Sequence, residues 1–294
     1  MTSKGCFSLL PAVLLLVFMS CATSVPEAPS VDLEFLPPRP AVLWEESGVT
    51  GLRILQFESE TDPVGVAALA VDLTAPGVSF FLTPPDPGGK GDTRSAKVSV
   101  FASEYNLTAA INAAPFYPVD LLNRQKLPCD ISGIHIYEGV MISRPEKRFD
   151  ALYILEDGTI LLGSQEEIPE DSRWAVGGFH LVLQGGENRG MKDARHPRSA
   201  AGVSEDGKTL YLAAFEGRMV SRAGLTTWEL GEWMRWLGAS DALNLDGGGA
   251  SALVLRQTDG SYSVLNTPVH RGKPGLERVV ASHLGILIEE SFPE

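Results

Sequence analysis

The residues best placed for chemistry lie in Asp241-Ala-Leu-Asn-Leu-Asp-Gly-Gly-Gly-Ala-Ser-Ala-Leu-Val-Leu255. Asn244 and Asp246 stand two apart, so on an extended strand they share one face while Leu243 and Leu245 turn into a core. Asp246 opens onto Gly247, Gly248 and Gly249. Glycines take positive φ freely and admit close approach to the backbone. Successive N–H groups in such a turn can form a nest for an anion. The pairing sets a carboxylate beside a phosphate-sized holder. The plainer alternative is a tight hairpin whose Asp is satisfied locally.

This stretch needs support from elements on both sides. Thr226 to Leu237 reads as a helix: Thr226 and Glu229 form a capping box. Leu230, Trp233, Met234 and Leu237 make one apolar stripe, and Gly238 is placed to end it. It delivers the chain into the strand that carries Asn244. Upstream, 51–57, 64–73, 78–82 and 108–112 read as strands, with a helix over 95–105 where Val98, Phe101 and Ala102 recur at helical spacing. Hairpins follow at 134–139, at 151–162 around Glu156-Asp157-Gly158, and at 201–215 around Glu205–Lys208. Phe179 to Leu183 and His283 to Ile288 are further strands. With 30 Gly and 20 Pro marking turns, the expected fold class is α+β: a mixed, strand-rich sheet core with a few packed helices.

The 37 acidic residues outnumber the 24 basic ones, for a net charge of −13. That argues against a nucleic-acid partner, which needs clustered Lys and Arg. A small anionic substrate needs only two or three local cations. Residues 1–20 read as a signal peptide, with an apolar run from Leu9 to Met19 that is short for a bilayer span. Ser20-Cys21 resembles a lipobox and makes Cys21 a lipidation site anchoring the chain to a membrane. Plain secretory cleavage at Ala22 or Ser24 is the alternative. Residues 21–45, rich in Pro and Ser, read as a tether, and 46–290 as a single domain in the cell envelope. Cys129 alone remains in the body, where a small core role outweighs a nucleophilic one, since Pro128 and Asp130 supply no activating cation. No spacing signals a metal. Asp241 and Asp246 are thin support for calcium. No cofactor is expected.

The segment Asn244-Leu-Asp-Gly-Gly-Gly-Ala-Ser resembles the phosphodiester glycosidase family, whose best-known activity removes N-acetylglucosamine from a sugar phosphodiester. Ile111-Asn112-Ala-Ala-Pro-Phe116, Arg195-His-Pro-Arg198-Ser-Ala, Phe215-Glu-Gly-Arg218 and Gly224-Leu-Thr-Thr227 are similar to family segments in the same order. The likeness runs from about 111 to 288. Ala113 and Ala114 stand in place of Gly-Gly, which narrows backbone approach on that wall. Glu216 replaces Asp, Ala250 replaces Ser, and His180 occurs where relatives tend to have Pro.

The resemblance implies a glycosidase that hydrolyses a sugar-1-phosphodiester at the anomeric C–O bond, acting on envelope or extracellular glycoconjugates. Asp246 and Glu216 are then the carboxylates for nucleophile or base work. Arg198, assigned with them to the catalytic set, joins Arg218 and Arg278 as candidates for the phosphate, since an arginine grips two oxygens at once. Asn112 and Asn244 would orient sugar hydroxyls or an acetamido group, Gly247, Gly248 and Gly249 would cradle the anion, and His196 would move a proton. Each has a structural alternative. Arg198 or Arg218 can pair with Glu216 or Asp246, Asn112 can cap a strand end, and His196 can serve the turn before Pro197. The competing function is a non-catalytic, glycan-binding envelope lipoprotein. A phosphodiesterase cutting P–O would want a metal pair or a strong nucleophile, and neither is signalled.

Overall fold

The computed structural model describes residues 44–58 and 64–289. The expected signal peptide, the lipidation site Cys21 and the tether up to residue 43 lie outside them. Two antiparallel sheets carry the site. The larger runs, in spatial order, Glu45–Glu46, Leu52–Glu58, Gly65–Asp72, Thr209–Phe215, Arg198–Val203, Asp241–Asn244, Leu181–Gln184, Glu187–Asn188. The second runs Tyr262–Val264, Leu253–Arg256, Ala109–Asn112, His283–Ile288, Val78–Leu82. A third, five-stranded sheet is built on the hairpins 135–143 and 150–164.

Strand periodicity sorts the side chains of the large sheet. Ala67, Leu69 and Val71 join Leu212, Ala201 and Leu243 in one core, which also takes in Ile111, Leu253 and Leu284 of the second sheet and Leu152 and Val176 of the third. Val66, Ala68 and Ala70 face the other way, with Ala200, Ala213 and Ala242, under the helix Thr227–Leu237. Both faces are covered, so these strands read as unbroken apolar runs. The alanines on the helix side let Leu230, Trp233, Met234 and Leu237 lie close to the sheet. A short helix, Val98–Glu104, covers the outer face of the second sheet through Val98, Phe101 and Ala102 against Ala110 and Val254. The mixed, strand-rich α+β class expected from sequence is the class observed.

Several boundaries moved for identifiable reasons. The first helix starts at Val98, three residues later than expected, because Ser95 N–H is bonded to Leu127 O (2.9 Å) and Ala96 is bridged to Val280, which holds that stretch extended. The strand expected over 179–183 is Leu181–Gln184; Phe179 N–H instead meets Asn244 O (2.8 Å) ahead of an irregular register. The helix Thr227–Leu237 is framed as the sequence predicts: Thr226 Oγ1 accepts from Glu229 N (3.1 Å), and Gly238 ends it at φ 116°.

Candidate active site

Asp246 sits where the two main sheets meet. The strand Asp241–Asn244 belongs to the large sheet, paired with Arg198–Val203 in the register Ala200 to Asn244. Beyond it the chain crosses over. Leu245 N–H donates to Ser199 O (2.9 Å), then Asp246 N–H donates to Ala113 O (2.8 Å) on the second sheet's side. Asn112 closes this joint. Its Nδ2 donates to Asp246 O (2.6 Å), and its Oδ1 accepts from Ser199 Oγ (2.7 Å) and Ala252 N (3.2 Å). Asn112 is wholly buried. This corrects its expected contact with substrate: all three side-chain bonds go to the protein interior, and the residue acts as a clamp beneath Asp246. Ala113 and Ala114 are likewise core residues behind the joint, so the absence of glycine there narrows no ligand approach. Asn112→Ala would leave a carbonyl, a hydroxyl and an N–H unsatisfied in the core. The expected loss is about 3 kcal/mol of stability by denaturant unfolding.

The Asp246 carboxylate faces two cations. Its Oδ1 accepts from Gly247 N (3.0 Å) and its Oδ2 lies 3.3 Å from the Arg278 guanidinium. Burial pushes its carboxyl up to about 6, against the opposing pull of Arg278, the Gly247 N–H and Arg218. Arg278 rests over the Phe116 ring, 5.1 Å from its centroid, and its Nε is buried with no partner among the described residues. Its neighbours hold it there. Glu277 accepts from Ser99 N (3.1 Å) and Ser99 Oγ (2.5 Å) in the first turn of the short helix. Asn123 bridges both flanks, accepting from Val279 N (2.8 Å) and donating to Glu277 O (2.9 Å).

Arg218 comes from the loop after the strand Thr209–Phe215, in left-handed backbone at φ 60°. It is exposed and has no hydrogen bond or ion pair among the described residues. Its guanidinium lies so close over Gly248 that a Cβ there would stand 2.8–3.0 Å from it.

The glycine turn works differently from the expected nest. Gly247 N–H is taken by Asp246's own carboxylate, and Gly248 N–H by Pro197 O (2.8 Å). The glycines instead admit protein groups. A Cβ on Gly247 would meet Pro197 O at 2.7 Å, and one on Gly249 would meet His270 Nδ1 at 3.2 Å. Gly248, at φ 63°, is the position with both constraints. Gly248→Ala is expected to displace Arg218 and to cost about 1–2 kcal/mol from left-handed strain. A rise in KM for an anionic substrate, larger than the change in melting temperature would suggest, checks it.

The remaining predicted residues divide. Arg198 is spent on structure: Nε donates to Leu225 O (3.0 Å), and Nη2 meets Asp193 (2.9 Å) and Ala194 O (2.9 Å). Asp193 in turn accepts from Thr227 N (2.7 Å), so Arg198 ties the loop before it to the start of the main helix. Glu216 is buried, pairs with Arg222, and accepts from Thr267 N (2.6 Å), so both its oxygens are occupied. These two placements correct the catalytic roles expected for them: neither side chain is turned to Asp246. Asn244 is buried with its Oδ1 lacking a partner among the described residues, on a backbone paired with His180, whose Nε2 also lacks one there. His196 is half-buried and held below the usual histidine range by burial, then by Arg198 and Arg218.

His270 was not singled out from sequence. It packs on Gly249 from the small hairpin Val269–His270/Lys273–Pro274, its Nε2 has no partner among the described residues, and burial, then Arg278 and Arg271, hold it below the usual histidine range. Only an isolated Val-His before a glycine turn marked it.

Among the described residues no group of three or more His, Cys, Asp or Glu is arranged to hold a metal. Asp241, at the far end of the strand, accepts from Gly185 N (3.0 Å). Cavities of about 670 and 370 Å³ open elsewhere, and neither is lined by Asp246.

A family model described as phosphodiester glycosidase matches residues 105–287, more than half of the chain. The chain belongs to the phosphodiester glycosidase family. It is 28% identical over 111 residues to mouse N-acetylglucosamine-1-phosphodiester alpha-N-acetylglucosaminidase, a match covering 38% of this chain and 19% of that one. It is 25% identical over 182 residues to the SPbeta prophage-derived uncharacterized protein YomE of Bacillus subtilis (strain 168), covering 56% of this chain and 26% of the relative. It thus spans about a fifth to a quarter of those relatives' lengths. The fold is similar to the catalytic domain of zebrafish N-acetylglucosamine-1-phosphodiester alpha-N-acetylglucosaminidase, solved auto-inhibited by its pro-peptide. The TM-score is 0.59 at 22% identity, over 86% of this chain and 85% of that one. The matched span contains all the site residues above, from Asn112 to Arg278.

Proposed function

We propose that this family member hydrolyses a sugar-1-phosphodiester, breaking the bond between the anomeric carbon and the phosphate oxygen. The observation that carries the reading is the convergence of Arg278 and the unpaired Arg218 on one half-buried carboxylate, Asp246, whose acidity lies near neutrality. The two guanidiniums suit the phosphate, which sheds the anomeric bond as negative charge gathers on its oxygen. Asp246 suits the electron-poor sugar carbon, which it stabilises directly or by activating water. The water oxygen ends on the sugar, the bonding pair leaves with the phosphate monoester, and the displaced proton passes to Asp246 or solvent.

A single free carboxylate is enough for this leaving group. Glycosidases that expel an alcohol use a second carboxyl as acid. A phosphate monoester anion is already a weak base and needs its charge balanced more than a proton. That fits a site in which Glu216 is engaged by Arg222 and Thr267. The orphaned Asn244 Oδ1 and His180 Nε2 offer polar contacts for the sugar, so N-acetylglucosamine, the sugar in the mouse relative's name, is the first to try. The signal peptide and Cys21 read from sequence support action on envelope or extracellular glycoconjugates from a lipid anchor.

The test is hydrolysis of N-acetylglucosamine-1-phosphate methyl diester in 18O-water. Label in the released sugar supports the proposal. Label in phosphate would mean P–O cleavage, and binding without turnover would mean a glycan-binding protein.

A further inference from the structure

Of the ten exposed large hydrophobic side chains among the described residues, four fall between Tyr117 and Leu122: Tyr117, Val119, Leu121 and Leu122. Scattered exposed apolar residues need no explanation, but a cluster does. This cluster stands on ordered backbone. Asn123 N–H donates to Asp120 O (3.1 Å), and the Asp120 carboxylate takes Arg124 N (2.6 Å) and pairs with its guanidinium (2.9 Å). Leu121 and Leu122 are thus the two central residues of a closed turn, positions that ordinarily go to polar residues or glycine. They are 74% and 68% exposed.

The ridge is continuous with the phosphate end of the site. At one end Tyr117 follows Phe116, the ring under the Arg278 guanidinium. At the other, Leu122 precedes Asn123, which bonds to the residues on either side of Arg278. A phosphodiester held by Arg278 with its sugar toward Asp246 has its second ester arm free to run along this ridge. Within the ridge the Asp120 carboxylate is paired with Arg124, while Asp130, across the strand pair from Tyr117, adds one exposed carboxylate at the near end.

From this continuity we infer that the ridge Tyr117–Leu122 binds an apolar aglycone, and that the substrate class is a sugar-1-phosphate esterified to a long-chain or isoprenoid alcohol. The inference rests on the phosphodiester glycosidase reading of the site. Each methylene covered by the ridge strengthens binding of that arm.

The experiment compares two diesters of one sugar-1-phosphate, an n-octyl ester kept below its micellar range and a methoxy-diethylene-glycol ester of similar length. The full chain should show kcat/KM about ten- to fiftyfold higher for the octyl ester, as expected from two or three covered methylenes. The double variant Leu121→Asn, Leu122→Asn should lose that preference while cleaving the glycol ester at the unaltered rate. Equal kcat/KM in the unaltered protein overturns the inference, and so does a preference that survives in the double variant. Should the double variant fold poorly, Leu121→Asn alone and the two-ester comparison still decide. Loss of binding to phosphatidylcholine vesicles in the variant, with no octyl preference in the parent, would assign the ridge to a membrane surface and overturn it too. Turnover of the glycol ester reports on the underlying reading separately: if neither ester is cleaved, that reading fails and the inference falls with it.

Discussion

Asp246→Asn should lower kcat by about three orders of magnitude or more while making the folded protein more stable at pH 8. The first effect follows from removing the carboxylate that Arg278 contacts and Arg218 acts on, a loss of the size found when a catalytic acid–base or electrostatic group is deleted. The second follows from the acidity of the group. Burial raises the Asp246 carboxyl from its ordinary 3.8 to about 6, so the fold disfavours its ionised form. Below about pH 3 the group is protonated, folded or unfolded, and costs nothing. The penalty builds as pH rises through about 6 and is complete above it. Asparagine has the shape of the protonated form and can still accept from Gly247 N–H. A gain of about 2 kcal/mol is expected at pH 8, vanishing below about pH 3, by thermal unfolding at both. In the unaltered enzyme, kcat/KM should fall as pH drops below about 6, because the working form is ionised. Full turnover in the folded Asn variant would remove Asp246 from the mechanism.

Arg278→Ala should cost about a hundred- to a thousandfold in kcat/KM, since it removes a preorganised partner for the departing phosphate. It carries a second signature that a purely structural role would not produce. Arg278 is the largest influence holding the Asp246 carboxyl down. Without it the acidity moves further above about 6, and the acid limb of the pH–rate profile moves to higher pH. Arg278→Lys should recover little, because an ammonium cannot grip two phosphate oxygens or lie flat on Phe116. A loss below tenfold with an unmoved acid limb would sink the assignment. Arg218, exposed and unpaired, is the milder partner, its removal expected mainly to raise KM.

The two halves of the site differed in how readable they were. Local signals carried the main helix, because a capping box, a helical stripe and a terminal glycine all act within a dozen residues of one another. They also carried the alternation that sends Leu243 and Leu245 into one core. The first helix was misjudged at its start because its N-terminal residues pair with Leu127 and Val280, which sequence spacing does not reveal.

By itself, then, the amino-acid sequence determined the strand-rich α+β class, the family, and Asp246 at a glycine turn. Each rests on short-range pattern or on segments in a fixed order. Only the tertiary structure decided which polar side chains serve the site and which serve the fold. Arg198 and Arg278 are the same residue type, yet one spends its donors on Leu225 O, Asp193 and Ala194 O while the other reaches Asp246. Glu216 had the right charge and was claimed by Arg222 and Thr267. Asn112 had the right amide and was consumed by the joint beneath Asp246. The reason is that buried donors and acceptors must be satisfied by whatever lies within about 3 Å. Some of those neighbours, such as Asp193, Ala194 and Arg222, are four to six residues off, but Leu225, Thr267, Ser199 and Asp246 come from strands and loops 27 to 134 residues away along the chain.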